Sequence, residues 1–326
     1  MARDLERMLA GLRNTLDGGK SISAIVPLST GHSNETYRLE GLGRILRMPP
    51  SEEGLLPPYD MAAQHAVLAA MAAQPDGPPV PRVFELCTDP RVIGDAFFVM
   101  ELLEGEAFEY ATPRWLSDAP SSVPAYMCEQ WIGAVTAVHR QPRAAMPAPA
   151  RTITDEAQHW LRVAEQAAAP APLIEVLRDL VANPPPPSGE PTPIHGDPKH
   201  GNCLWDRQGR LLALLDWEMA GVGEPLLDLG YIMQFYDQGE NKLGSAGYEL
   251  PGWWSREQVV EQWQTATGRV AHHLNRFEAL EVAKVGAIIA LGYHLFVSGR
   301  ARDARFESWQ TVIPGYVEMA VRLATG

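Results

Sequence analysis

Cysteine is scarce and unpatterned in this chain. Cys87, Cys128 and Cys203 are odd in number and none sits at metal-ligand spacing from another. That argues against a disulfide framework or a thiolate metal cluster and fits a reducing, cytoplasmic setting. Basic clusters are also missing. The formal net charge is −13 and the sequence pI about 5.2, so broad nucleic-acid binding is not expected. An acidic balance would suit a cationic small molecule, although solvated acidic faces produce the same figure. Uninterrupted apolar runs are short. Near the N-terminus, Leu5, Met8, Leu9, Leu12 and Leu16 recur at helical spacing, broken by Arg3, Asp4, Glu6, Arg7 and Arg13. This is an amphipathic helix for packing on a small lobe, not a secretory signal. The most apolar helical stretch, 285–297 between Lys284 and Arg300, is read as too short to cross a bilayer and as core. A soluble protein with no membrane partner is expected. No internal repeat emerges.

What the chain does have is concentrated at 194–218, IHGDPKHGNCLWDRQGRLLALLDWE. Gly196 frees the backbone to turn between His195 and Asp197. Asn202 follows five residues after Asp197, then Cys203-Leu204-Trp205 reads as a short strand. Asp206-Arg207-Gln208-Gly209 reads as a turn, with Gly209 suited to positive φ. Residues 211–215 are continuously apolar, which predicts a strand buried on both faces. Asp216 closes it. The hairpin therefore brings Asn202 and Asp216 together at its open end. Two carboxylates and an amide in this order suit magnesium-dependent phosphoryl transfer: Asp197 to accept the proton of an attacking hydroxyl, Asn202 and Asp216 to offer hard oxygens to Mg2+. His195 is expected to brace the loop by hydrogen bonds without exchanging protons with substrate.

These residues resemble the catalytic and metal-binding loops of the aminoglycoside phosphotransferase-like family, whose pattern is His-Gly-Asp, four residues, Asn, a hairpin, then Asp-Trp/Phe-Glu/Asp. The closest likeness is to the subgroup related to domains fused to acyl-CoA dehydrogenases. The resemblance implies a bilobal, protein-kinase-like α+β fold. A small lobe (1–102) would carry an antiparallel sheet and a helix, and a larger, mainly helical lobe (103–326) would hold the catalytic hairpin. It also implies ATP as co-substrate, with GTP possible, and a small-molecule hydroxyl acceptor, aminoglycoside-like or hydroxyacyl-type. Gly223-Glu224-Pro225-Leu226-Leu227-Asp228 continues the match, with Asp228 as an internal structural acid. Lys199 falls where many kinases place a γ-phosphate contact.

Further segments fit the same scheme. Residues 27–39 read as strand, loop, strand. The loop, with Ser29, Gly31, His32, Ser33 and Asn34, could fold over phosphates and donate N–H groups. Gly31-His32-Ser33 comes near a G-x-S-x-G nucleophile elbow but lacks the last Gly and the following helix. Residues 44–48 resemble the third kinase strand, where a Lys usually grips phosphates. Arg47 stands there instead, and a guanidinium can hold phosphate bidentately. On the next helix, 59–71, Gln64 replaces the usual Glu partner, so an ion pair is not expected. Residues 97–105 resemble the hinge between lobes, with the backbone of Met100, Glu101 and Leu102 facing adenine. A helix over 126–140 ends in His139, read as a packing residue. The proline-rich stretches 141–150 and 183–193 are connectors, the second stiffened by 184–187. Trp253, Trp254, Trp263 and Trp309 are read mainly as core.

Two other classes were weighed. A zinc hydrolase could use His195, Asp197, His200 and Asp216, but it leaves Asn202 without a role and lacks a His-x-His or His-Glu-x-x-His pair. A kinase scaffold that binds nucleotide or a metabolite without transfer would explain Arg47 and Gln64 but not the intact Asp197, Asn202 and Asp216.

Overall fold

Alternation decides how the first hundred residues fold. In the computed structural model, which describes residues 3–28, 34–52, 54, 55, 57–236 and 246–326, five antiparallel strands form one sheet. They are β1 (Ala24–Leu28), β2 (Glu35–Glu40), β3 (Arg44–Met48), β4 (Val83–Cys87) and β5 (Phe97–Glu101), in the order β1-β2-β3-β5-β4. Successive side chains of a strand point to opposite faces. Phe97 and Val99 of β5 accordingly join Leu39, Leu46 and Met48 against Met8 and Leu12 of helix α1 (Leu5–Thr15). Phe98 points the other way, to Met61, Leu68 and Met71 of α2 (Met61–Ala72). The sheet lies between two helices, and its Phe98 face is continuous with the core of the second lobe. The expected amphipathic packing of α1 is observed, with Asp4 accepting the Arg7 N–H at 3.0 Å as its N-cap.

The large lobe is mainly helical: α3 (Arg114–Ser117), α4 (Ser122–His139), α5 (Ile153–Gln166), α6 (Ala171–Ala182), α7 (Leu226–Met233), α8 (Arg256–Thr267), α9 (Leu274–Val297), α10 (Arg305–Ser308) and α11 (Ile313–Thr325). Two small ribbons interrupt it. β6 (Thr192–Ile194) pairs with β9 (Gly221–Gly223), and β7 (Cys203–Trp205) pairs with β8 (Leu211–Leu214), both antiparallel. The α+β, bilobal kinase-like class holds.

Two expectations need correction. Residues 211–214 are only partly buried at Leu211 and Leu212 and fully buried at Ala213 and Leu214. The apolar helix is also longer than 285–297: α9 starts at Leu274 and runs 24 residues. By length and composition it is long enough to cross a membrane, alone among the described residues, yet most of its apolar window is buried inside the protein. It packs on α5, α6, α7, α10 and α11. The sequence hides its first half because Glu278, Glu281 and Lys284 look like surface residues. All three are buried, and they are paired: Glu278 with Arg256, Glu281 with Lys284.

Candidate active site

The β6–β9 ribbon, with Ile194 opposite Gly221, launches the His195-Gly196-Asp197 turn. Gly196 has φ +85°, and a Cβ there would stand 2.4 Å from the Met219 carbonyl oxygen; only glycine fits. One buried carboxylate holds this turn. Asp228, in the first turn of α7, accepts the N–H of His195 at 2.7 Å and of Gly196 at 2.8 Å. His139 Nε2 lies 2.9 Å from the same carboxylate, and Trp263 Nε1 donates to His139 Nδ1 at 3.0 Å. Because Nδ1 accepts, the ring proton sits on Nε2 and is donated to Asp228. Burial alone would raise the Asp228 carboxyl, but the His139 bond and the neighbouring histidines and N–H group outweigh it, and its pKa is lowered. His139 is thus more than packing: it orients the acid that holds the loop.

His195 works in the same sense. Its Nε2 donates to Leu215 O at 2.9 Å, and Nδ1 accepts from Asp197 N at 3.2 Å. Burial lowers its pKa, so it is a neutral strut between the Asp197 loop and the end of β8. Asp197 would be raised by burial too. Lys199, the Tyr231 hydroxyl, His195 and Lys284 reverse that and hold it ionised, below its ordinary range. Lys199 Nζ lies 3.8 Å from Asp197 Oδ2 and 2.9 Å from Glu109 Oε1. Burial opposes its charge, but the two carboxylates prevail and its pKa is raised.

Asn202 donates Nδ2 to Asp197 O at 2.8 Å, which leaves its Oδ1 as the metal-competent atom. Its own carbonyl accepts the Leu215 N–H at 2.7 Å, closing the hairpin mouth beside Asp216. Asp216 has left-handed backbone, φ +63°. One amide oxygen and one carboxylate on adjoining loops are hard donors of the kind a magnesium ion takes alongside nucleotide phosphates. The donor set fits that ion. Arg47, from β3, reaches across from the small lobe. Its Nη2 contacts Asp216 Oδ1 and lies 3.8 Å from Glu218 Oε2, while Nε donates to Gln64 Oε1 at 3.3 Å. Gln64 therefore takes the Glu position in space as in sequence, with a hydrogen bond to a neutral amide replacing the ion pair.

Of the expected phosphate loop, Ser29, Gly31, His32 and Ser33 lie outside the described residues. Asn34 is buried and donates Nδ2 to Glu218 Oε2 at 2.6 Å. Met100 sits inside the sheet between Ile45 and Val83, Glu101 N donates to Arg82 O at 2.8 Å, and Leu102 follows the strand end. The zinc alternative fails geometrically. No group of three or more His, Cys, Asp or Glu is gathered for a metal among the described residues. His200 is buried among Phe108, Trp131, Tyr248 and Trp253, its pKa pushed down to about 3 by burial. Four site residues escaped the sequence reading: Glu109, Glu218, Tyr231 and Lys284. Two had a signal. Glu218 completes Asp-Trp-Glu, and Tyr231 lies three residues after Asp228, hence on the same helix face.

An antiparallel five-stranded lobe over a helical lobe carrying this loop pair is the architecture of kinase-like phosphotransferases. The chain belongs to one such group: residues 24–259 match the Phosphotransferase enzyme family. Among curated relatives, it is 27% identical to acyl-CoA dehydrogenase family member 11 of Gallus gallus over 99% of this chain. The match covers 43% of that relative, so this chain spans less than half of its length. Among solved structures, a Ralstonia eutropha protein provisionally described as an aminoglycoside phosphotransferase superposes with TM-score 0.78 at 21% identity, covering 99% of each chain. The GDP complex of aminoglycoside 2'-phosphotransferase-IIIa gives 0.66 at 14% identity, over 97% of this chain and 99% of that one.

Proposed function

We propose that the protein moves the γ-phosphoryl group of a purine nucleoside triphosphate, ATP in the first instance and GTP as the other candidate, to a hydroxyl group of a small molecule. The observation that carries this reading is the link from Asn202 Nδ2 to Asp197 O, which ties a prospective metal ligand to a prospective base through one hydrogen bond. Asp197, kept ionised in a buried setting, accepts the proton of the acceptor hydroxyl as it attacks. His195 and Asp228 hold the loop so that the carboxylate does not turn away. Lys199 offsets charge on the group in transit. Asn202 Oδ1 and Asp216 would hold Mg2+, which would supply positive charge to offset that of the phosphates. Arg47, steadied by Gln64, grips the nucleotide phosphates from the small lobe.

The acceptor class we assign is a hydroxyl-bearing metabolite, with hydroxyacyl-type and aminoglycoside-like compounds as the two families to assay. The likeness to proteins named for acyl-CoA dehydrogenases supports the first, and the fold neighbours support the second. A cytoplasmic setting, with no nucleic-acid or membrane partner, belongs to the same reading. The test is magnesium-dependent nucleotide consumption with both acceptor families, Asp197→Asn serving as the blank. Acceptor-dependent turnover that disappears in the variant supports the reading. Nucleotide binding with no turnover on any acceptor would favour a binding protein on a kinase scaffold.

A further inference from the structure

A buried ammonium touches the His195-Gly196-Asp197 turn from the large lobe's longest helix. Lys284 lies midway along α9, just before its most apolar stretch, with its side chain 2% exposed. Taking an ammonium out of water is costly unless it is paired and hydrogen-bonded, and a well-packed apolar residue would avoid that cost. Its contacts are specific. Nζ donates to Gly196 O at 2.5 Å and to Glu281 Oε2 at 2.8 Å, and stands 4.9 Å from the ring centre of Tyr231. Tyr231 is in turn one of the groups that hold the Asp197 carboxyl below its ordinary range.

We propose that Lys284, anchored by Glu281, is a positioning residue for Asp197: it fixes the peptide that joins Gly196 to Asp197. The inference rests on the phosphotransferase reading for its kinetic consequence, but its geometry stands alone. That peptide is held at both of its polar atoms, the carbonyl oxygen by Lys284 and the Asp197 N–H by His195 Nδ1. The preceding peptide is held through the Gly196 N–H by Asp228. Gly196 is the residue here with the most backbone freedom, and it is pinned by a buried ammonium that also donates to Glu281, a carboxyl that burial pushes up to about 8. The same ammonium also makes a cation–π contact with the Tyr231 ring.

The test uses Lys284→Met, close in length but unable to donate, and Glu281→Gln, which leaves Lys284 in place without its carboxyl partner. Each is compared with wild type in steady-state turnover and in amide hydrogen exchange of the peptide covering 195–199. For Lys284→Met, kcat should fall about 100-fold, as expected for a catalytic group displaced by about 1 Å. The KM for nucleotide should stay within about threefold of wild type, because ligands that fix the phosphates are untouched. Exchange at 195–199 should accelerate at least about tenfold while α4 and α11 keep wild-type protection. Glu281→Gln should shift both readouts the same way by less. A folded Lys284→Met protein with wild-type exchange at 195–199 overturns the proposal whatever its activity. Should Lys284→Met fail to fold, wild-type kcat and exchange in Glu281→Gln overturn it. If the wild-type protein transfers phosphate to no acceptor, the functional reading fails, and the exchange data alone decide the role of Lys284.

Discussion

At the residue scale the site is a set of buried groups whose charges are settled by neighbours rather than by solvent. Asp228 spends both carboxylate oxygens on the His195 and Gly196 N–H groups and also receives His139. Its folded carboxyl titrates below the unfolded one. Its stabilisation is therefore complete above the unfolded carboxylate range, about pH 4, and is lost as pH falls through the lower folded value. Asp228→Asn should cost about 3–5 kcal/mol near neutrality. Denaturant titrations should show the gap to wild type narrowing below about pH 4. Arg47 gives a separate test. Its contacts are with Asp216, Glu218 and Gln64, so Arg47→Ala should weaken nucleotide binding by about tenfold, the worth of one charge-assisted bond. Arg47→Lys should recover only part of this, since an ammonium cannot present a planar fork. Unchanged affinity in calorimetry would remove Arg47 from the nucleotide site.

At the scale of elements, the sequence was most legible where local pattern and function coincide. The 203–214 hairpin, Gly209 at positive φ and the β3 strand at Arg44–Met48 follow from short-range rules. So does the juxtaposition of Asn202 with Asp216, because a hairpin closes its own mouth. Elements defined by long-range pairing were not legible. The β6–β9 ribbon joins Thr192–Ile194 to Gly221–Gly223, and nothing in three residues around a proline announces a strand. Helix α9 was cut short because charge reads as surface until its partner is known, and Arg256, which meets Glu278, comes from α8. His139 looked like a packing residue for the same reason: its partners, Asp228 and Trp263, are far along the chain. The cysteines test these placements. Cys203 in β7 and Cys128 in α4 are fully buried, and burial pushes both thiols up, Cys128 to about 12. A thiol reagent should label Cys87 alone in the native protein and all three in denaturant, counted by intact mass. Rapid native labelling of Cys203 would contradict the hairpin's packing.

At the scale of the whole molecule, the two lobes meet through more than the hinge. Leu55, from the segment between β3 and α2, packs with Leu295, Ala301 and Phe306 of the large lobe. Arg302 lies 3.7 Å from Glu52 beside it. The Arg47–Asp216 contact and the shared core around Phe98 complete the junction. The Arg47 guanidinium on β3 thus meets the Asp216 carboxylate across the junction. The central claim is that Asp197 acts on an acceptor hydroxyl beside a metal-bound nucleotide. The most direct measurement is magnesium-dependent phosphate transfer from ATP across hydroxyacyl and aminoglycoside acceptors, run in parallel on wild type and Asp197→Asn. The account predicts acceptor-dependent turnover in wild type, reduced by about 10²–10⁴-fold in the variant with nucleotide affinity retained. Equal turnover in the two proteins would contradict it.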